Sequence, residues 1–176
     1  MVSGVSMYGG FDAGDTYRWE RDPETNQTTL DANDVRRHVI TCNAVSNLTI
    51  DGFTLQEGNS NGSANWYGKF GGGIIFRGAS SNVTVNNCNI VDNMAKQQGG
   101  AIHVTSDCSS ITFSNCYFAD NYMHTTNYWG GAICTYSAIT VKECVFENNK
   151  TYPSGYKGTG GAIYMNGGNS TITNCL

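Results

Sequence analysis

One phrase is written into this chain four times, and its period governs what the chain can fold into. Gly-Gly-Gly-Ile begins at Gly71, and Gly-Gly-Ala-Ile begins at Gly99, Gly130 and Gly160, giving spacings of 28, 31 and 30 residues. A second phrase keeps step: VTVNNCNIVDN from Val83, ITFSNCYFADN from Ile111, ITVKECVFENN from Ile139, and a shortened TITNCL from Thr171. LTIDGFTLQEG from Leu48 is a looser copy with Phe53 in the cysteine slot. A fixed period of this length marks a repeat architecture, in which each unit buries its apolar side only against its neighbours.

Within each copy the pattern alternates with period two, which is strand spacing. Val83, Val85, Cys88 and Ile90 face one way; Thr84, Asn89 and Val91 face the other. The dipeptides Asn86-Asn87, Ser114-Asn115 and Lys142-Glu143 shift the alternation and read as corners. A repeat therefore holds about three short strands and leaves no room for a crossover helix. The predicted fold is all-β: a right-handed parallel β-helix, a solenoid of about five coils of roughly 28–31 residues, stacked at about 4.8 Å. Ile74, Ile102, Ile133 and Ile163 should form one inward column, and Val85, Phe113, Val141 and Ile172 another. Residues 1–37 read as a lead-in and capping segment with the first strand, and 38–176 as coils truncated at the C-terminal end.

The repeated glycines have a rival reading as a phosphate-binding loop, but that would need a Lys-Ser/Thr tail, and none of the four copies has one. They read instead as a corner that needs positive φ and close backbone approach. The small residue after each pair (Gly73, Ala101, Ala132 or Ala162) lets the strand pass near that corner.

Composition narrows the class. Charged residues are 14% of the 176, with 22 Gly and only 2 Pro, too apolar for a disordered chain and too poor in helix formers for a bundle. A net charge of −4 without a basic stripe excludes nucleic acid as an expected partner. No run reaches the roughly 18 apolar residues that would span a bilayer, so no membrane insertion by this segment is expected. The opening MVSGVSMYGG has neither the basic start nor the apolar run of a secretory leader, and the chain reads as a piece of a longer one.

Gly99-Gly100-Ala101-Ile102 with Phe118–Asn121, and Gly130-Gly131-Ala132-Ile133 with Phe146–Asn149, resemble the GGA[ILV] and FxxN marks of chlamydial polymorphic membrane protein repeats. Ile90–Asn93 is a variant with Ile for Phe. The lead-in MYGGFDAGDTYRWERDPETNQTTLDAN, followed by LTIDGFTL, is similar to that of bacterial secreted right-handed β-helix repeat proteins. The resemblance implies an extracellular or outer-membrane-associated location and an adhesin-like or passenger role; some relatives act on polysaccharides. It implies location more than activity.

The columns carry the candidate chemistry. Cys88, Cys116, Cys144 and Cys175 should stack as a reduced, structural thiol ladder. Seven cysteines exclude a complete internal disulfide framework, and Cys108 and Cys134 are expected to be the exposed thiols. Asn93, Asn121 and Asn149 should form an amide ladder at a corner. No metal site, cofactor or catalytic residue is assigned. Acidic Asp92 and Asp120 stack, but Asn148 interrupts them, and Asp22, Glu24, Asp31 and Asp34 read with their neighbouring arginines as a salt-bridged cap.

Function should lie on the variable loops before each glycine pair. Trp66, Tyr67, Tyr122, Tyr128, Trp129 and Tyr156, with His103 on the adjoining outward column, form a candidate ligand-binding strip for a glycan or a host or cell-surface protein. The expected role is a non-catalytic surface or secreted scaffold with adhesin-like recognition. Alternatives are a β-helix polysaccharide lyase or glycoside hydrolase, and a structural module that stacks end to end into fibres by self-association.

Overall fold

The computed structural model describes residues 1–62, 66–125, 129–151 and 160–176. The chain winds through four parallel sheets. Sheet I contains Ile40–Asn43, Ile74–Arg77, Ile102–Val104, Ile133–Thr135 and Ile163–Met165. Sheet II contains Met7–Tyr8, Ser46–Asp51, Ser81–Asn86, Ser109–Ser114, Ile139–Lys142 and Thr171–Thr173. Sheet III contains Thr28–Asp31, Phe53–Gln56, Asn89–Val91, Tyr117–Ala119 and Val145–Glu147. Sheet IV is built from two-residue strands, Asn59–Ser60, Met94–Ala95, Tyr122–Met123 and Lys150–Thr151.

Each strand pairs in parallel with its counterpart one coil on. Ile74 opposes Ile102, which opposes Ile133 and then Ile163, and Val85 opposes Phe113, Val141 and Ile172 in turn. This is a right-handed parallel β-helix. Each of the four coils from Ile40 to Thr151 has four strands rather than three: Met94–Ala95 and its equivalents form a short side of their own. Two-residue strands are too short to show a period in the sequence, so this side was not legible there.

Alternate residues of most strands fill one core; Ile172, expected in the Val85 column, pairs in register with Val141 but keeps 42% of its surface exposed. Ile74, Phe76, Val85, Ile90, Ile102, Phe113 and Phe118 are buried within the core. Burying a side chain of this size contributes roughly 1.5–3 kcal/mol relative to exposure. The aromatic residues interlock, Phe113 edge-on to both Phe76 (6.0 Å) and Phe118 (6.1 Å), and Phe118 stacked on Phe146 at 4.8 Å.

The glycine pair does two different jobs. Gly99 has φ +61°, and a Cβ there would run into the Ile102 carbonyl. Gly131 is excluded from carrying a side chain by contact, since its Cβ would meet the Gly161 carbonyl on the next coil. One glycine turns the chain and the other lets two coils touch.

The lead-in joins the stack directly. Met7–Tyr8 pairs with Ser46–Asp51, and Thr28–Asp31 with Phe53–Gln56, so residues 1–37 supply two strands. Arg21 pins this segment to the corner through a 2.6 Å ion pair with Asp51 and a 3.0 Å bond to the Gly9 carbonyl.

Cys108 and Cys134, expected to be exposed, are both buried. The turn at Cys108 brings its thiol back into the core cluster. Cys134 does leave the outer face of its strand, but the fold covers that face, and burial pushes its thiol up to about 12.

Candidate functional site

Cys88, Cys116 and Cys144 are buried and unpaired, and Cys175 is partly buried. Each thiol donates to the carbonyl two residues back, as Cys116 does to Ser114 at 3.2 Å and Cys144 to Lys142 at 3.2 Å. Burial pushes the Cys116 thiol well above its ordinary range. These sulfurs satisfy corner carbonyls, and those of Cys88, Cys116 and Cys144 are buried.

The asparagine column is equally internal. Asn93 donates through Nδ2 to Asn121 Oδ1 at 3.1 Å, and Asn121 to Asn149 Oδ1 at 3.0 Å. The same Oδ1 atoms accept the backbone amides of Asn93 and Asn121. Each side chain thereby closes a corner of its own coil and ties it to the next.

The outer face of sheet I differs from these structural ladders. Ile75, His103, Cys134 and Tyr164 oppose one another along it. Phe70, Gln98 and Trp129, each just before a glycine pair, lie over this face. Phe70, Gln98 and Trp129 lie side by side as successive parallel bridges, which places a second layer outside the column. Phe70 stacks on His103 at 4.7 Å, and Tyr136 meets the imidazole edge-on at 5.9 Å. Gln98 Nε2 donates to Tyr136 Oη at 2.9 Å.

Above this floor is a groove of about 320 Å³, lined by Tyr67, Phe70, Gln98, His103, Thr105, Ser106, Asp107 and Tyr136. Tyr67 keeps 41% of its surface exposed, while Phe70 and His103 are buried beneath. Asp107 is exposed at the rim; Thr105 Oγ1 donates to its Oδ1, and the Ala79 amide donates to its Oδ2 at 2.8 Å. Those donors, the Thr105 hydroxyl first, hold the carboxyl below its usual range. Burial, and then the charge of His38, depress the His103 imidazole to about 3, so it is neutral under ordinary conditions. Its Nδ1 is buried with no hydrogen-bond partner.

Of the sequence candidates, Tyr67 and His103 come together in this groove. Trp129 stacks on Tyr164 at 5.0 Å, one coil further along. Tyr122 lies on sheet IV and does not line the groove. Tyr128 and Tyr156 lie outside the described residues, as does the side chain of Trp66, whose backbone starts the helical turn Trp66–Lys69. Gln98, Thr105, Ser106, Asp107 and Tyr136 were missed. Only the spacing of Tyr136, directly after the Ile133–Thr135 strand and two residues past the outward Cys134, placed it beside a known column, and nothing marked it as turning back.

A larger depression of about 690 Å³ lies against the lead-in, lined by Arg21, Asp22, Pro23, Glu24, Gln27, Asn87, Asn89 and Asn115. It has no aromatic wall. Its Asp22 is bound to the Thr25 amide and hydroxyl, and Asn87 to Asp51. Arg21 and Asn115 are likewise hydrogen-bonded to residues behind it, Asp51 and Asn86. Among the described residues no three His, Cys, Asp or Glu side chains converge as a metal site.

The model of the right-handed β-helix region matches residues 24–176, nearly the whole chain. The chain belongs to the right-handed β-helix family. The match begins within the lead-in and takes in every coil. No curated protein and no solved structure matches it at a significant level.

Proposed function

We propose that this β-helix is a non-catalytic recognition scaffold, secreted or displayed at a cell surface, that holds a glycan in the groove over sheet I. One observation carries the reading. The exposed Tyr67 ring borders a floor of Phe70, His103 and Tyr136, with an amide, two hydroxyl residues and a carboxylate around it. Sugars offer apolar C–H faces to an aromatic ring and hydroxyls to polar neighbours, and a binding site needs a few such groups in fixed places. A finer kinship with chlamydial polymorphic membrane protein repeats is part of the proposal, on the Gly99–Ile102 and Phe118–Asn121 marks, and supports the surface location.

A glycan array tests the reading. Retention of a subset of glycans, released chemically unchanged, is expected. Tyr67→Ala should weaken that binding tenfold or more with the thermal melt preserved, because the ring is exposed and carries little of the core. Trp129→Ala is the contrasting control: its ring packs on Tyr164, so it should lower the melting temperature. Cleavage of the retained glycan would replace the scaffold with a hydrolase or lyase, and capture of proteins alone would replace the glycan.

A further inference from the structure

We propose that the groove selects an uncharged, hydroxyl-bearing sugar ring and turns away uronates and other acidic saccharides. The inference rests on the glycan reading above and narrows it to a ligand class. It is carried by the charges flanking the groove and by the neutral group beneath it.

Asp107 stands at one rim as an exposed carboxylate, held by the Thr105 hydroxyl and the Ala79 amide. Both donors favour its charged form. A carboxylate on a ring seated between Tyr67 and Asp107 would face that charge, and no Lys or Arg is among the described residues that line the groove; the Arg77 guanidinium lies over the Tyr67 ring and is not one of them. Hydroxyls suit the same carboxylate, which can accept two of them.

The opposite charge is disfavoured on the other side. The Arg77 guanidinium carbon lies 4.9 Å from the centroid of the Tyr67 ring and already uses one aromatic face. A second cation on the remaining face would be repelled by the first through the ring. An ammonium sugar thus gains less from Tyr67 than an uncharged ring does.

Beneath the groove, His103 is held neutral by burial and cannot act as the cation that an acidic sugar would need. Its unpartnered Nδ1 is a polar atom for which the fold provides no hydrogen bond. Such a group is costly to leave buried and unsatisfied. A ligand hydroxyl reaching past the Tyr67 ring would supply the missing partner, in either tautomer.

Calorimetric titration with neutral oligosaccharides (gluco-, manno- and galacto-) and with uronate oligomers of equal length tests this. The tightest neutral ligand is expected to bind at least tenfold more tightly than any uronate. Asp107→Asn should shrink that gap at least fivefold, and as a rim substitution it leaves the core untouched. His103→Phe should weaken the neutral ligand about tenfold while the protein still melts cooperatively; should it fail to fold, Asp107→Asn alone decides. Uronates that bind as tightly as neutral sugars, and lose that binding with Tyr67→Ala, would overturn the selection yet leave a glycan groove. An Asp107→Asn variant with an unchanged gap would overturn it as well. Binding of neither class would remove both this inference and the reading beneath it.

Discussion

At the scale of single residues, position in a column decides how much a side chain carries. Asn121 is fully buried and donates to the Ile90 carbonyl at 2.7 Å and to Asn149, while its Oδ1 accepts from the Asn93 side chain and amide. Asn121→Ala leaves several of those groups unsatisfied at once. With each worth roughly 1–3 kcal/mol, a loss of about 3–5 kcal/mol is expected, read as a shift in the urea midpoint. A loss below about 1 kcal/mol would mean that the ladder is decoration. His103 makes a different prediction. Folded, it takes a proton only near 3, whereas unfolded it does so near its ordinary 6.5. Between those limits the unfolded state binds more protons, so stability should fall as pH drops from about 6.5 toward 3, by up to about 1.4 kcal/mol per unit. His38 is also lowered by burial and adds to the slope. Unfolding free energies at pH 7, 6 and 5 should fall less steeply for His103→Phe than for the parent chain. Parallel curves would assign the loss to other groups.

At the scale of elements, the corners do what the strands cannot. The corner between sheets II and III takes left-handed backbone in every coil: Gly52, Asn87, Asn115, Glu143 and Asn174 all have φ between 49° and 80°. Asparagine and glycine tolerate that region, whereas glutamate does so at a cost of roughly 1–2 kcal/mol. Glu143 is therefore the strained member. Glu143→Asn should stabilise the protein by about 0.5–1 kcal/mol, visible as a higher melting temperature, and the fold should not change. The corner dipeptides were legible in the sequence because turn chemistry is local. The burial of Cys134 was not, since period two says only that a side chain leaves the outer face of its strand. Whether that face meets water depends on Phe70, Gln98 and Trp129 arriving from loops of unequal length.

At the scale of the whole molecule, stability is shared between neighbouring coils. Every pairing in the four sheets joins one coil to the next, so the stack tolerates the loss of a whole repeat and not of part of one. Deleting residues 102–132 joins Ala101 to Ile133, which preserves the Ile74–Ile133 column that Ile102 now bridges. That variant should keep a β-type circular dichroism spectrum and a single cooperative melt at lower temperature. Deleting 102–131 instead shifts the following strand by one residue and turns its apolar side outward, so the cooperative transition should be lost. Equal behaviour of the two would sink the register argument.

The repeat period determined the architecture by itself, because strands a repeat apart must lie over one another if each is to bury its apolar side. It therefore also determined the inward columns, the cysteine and asparagine files among them, and the need for glycine at one corner. Only the tertiary structure decided which outward residues form a groove. Tyr67, Gln98, Asp107 and Tyr136 belong to different turns, and none of them falls in an inward column. Their meeting depends on how far each loop folds back across sheet I, and that is set by packing between coils, which no local pattern encodes.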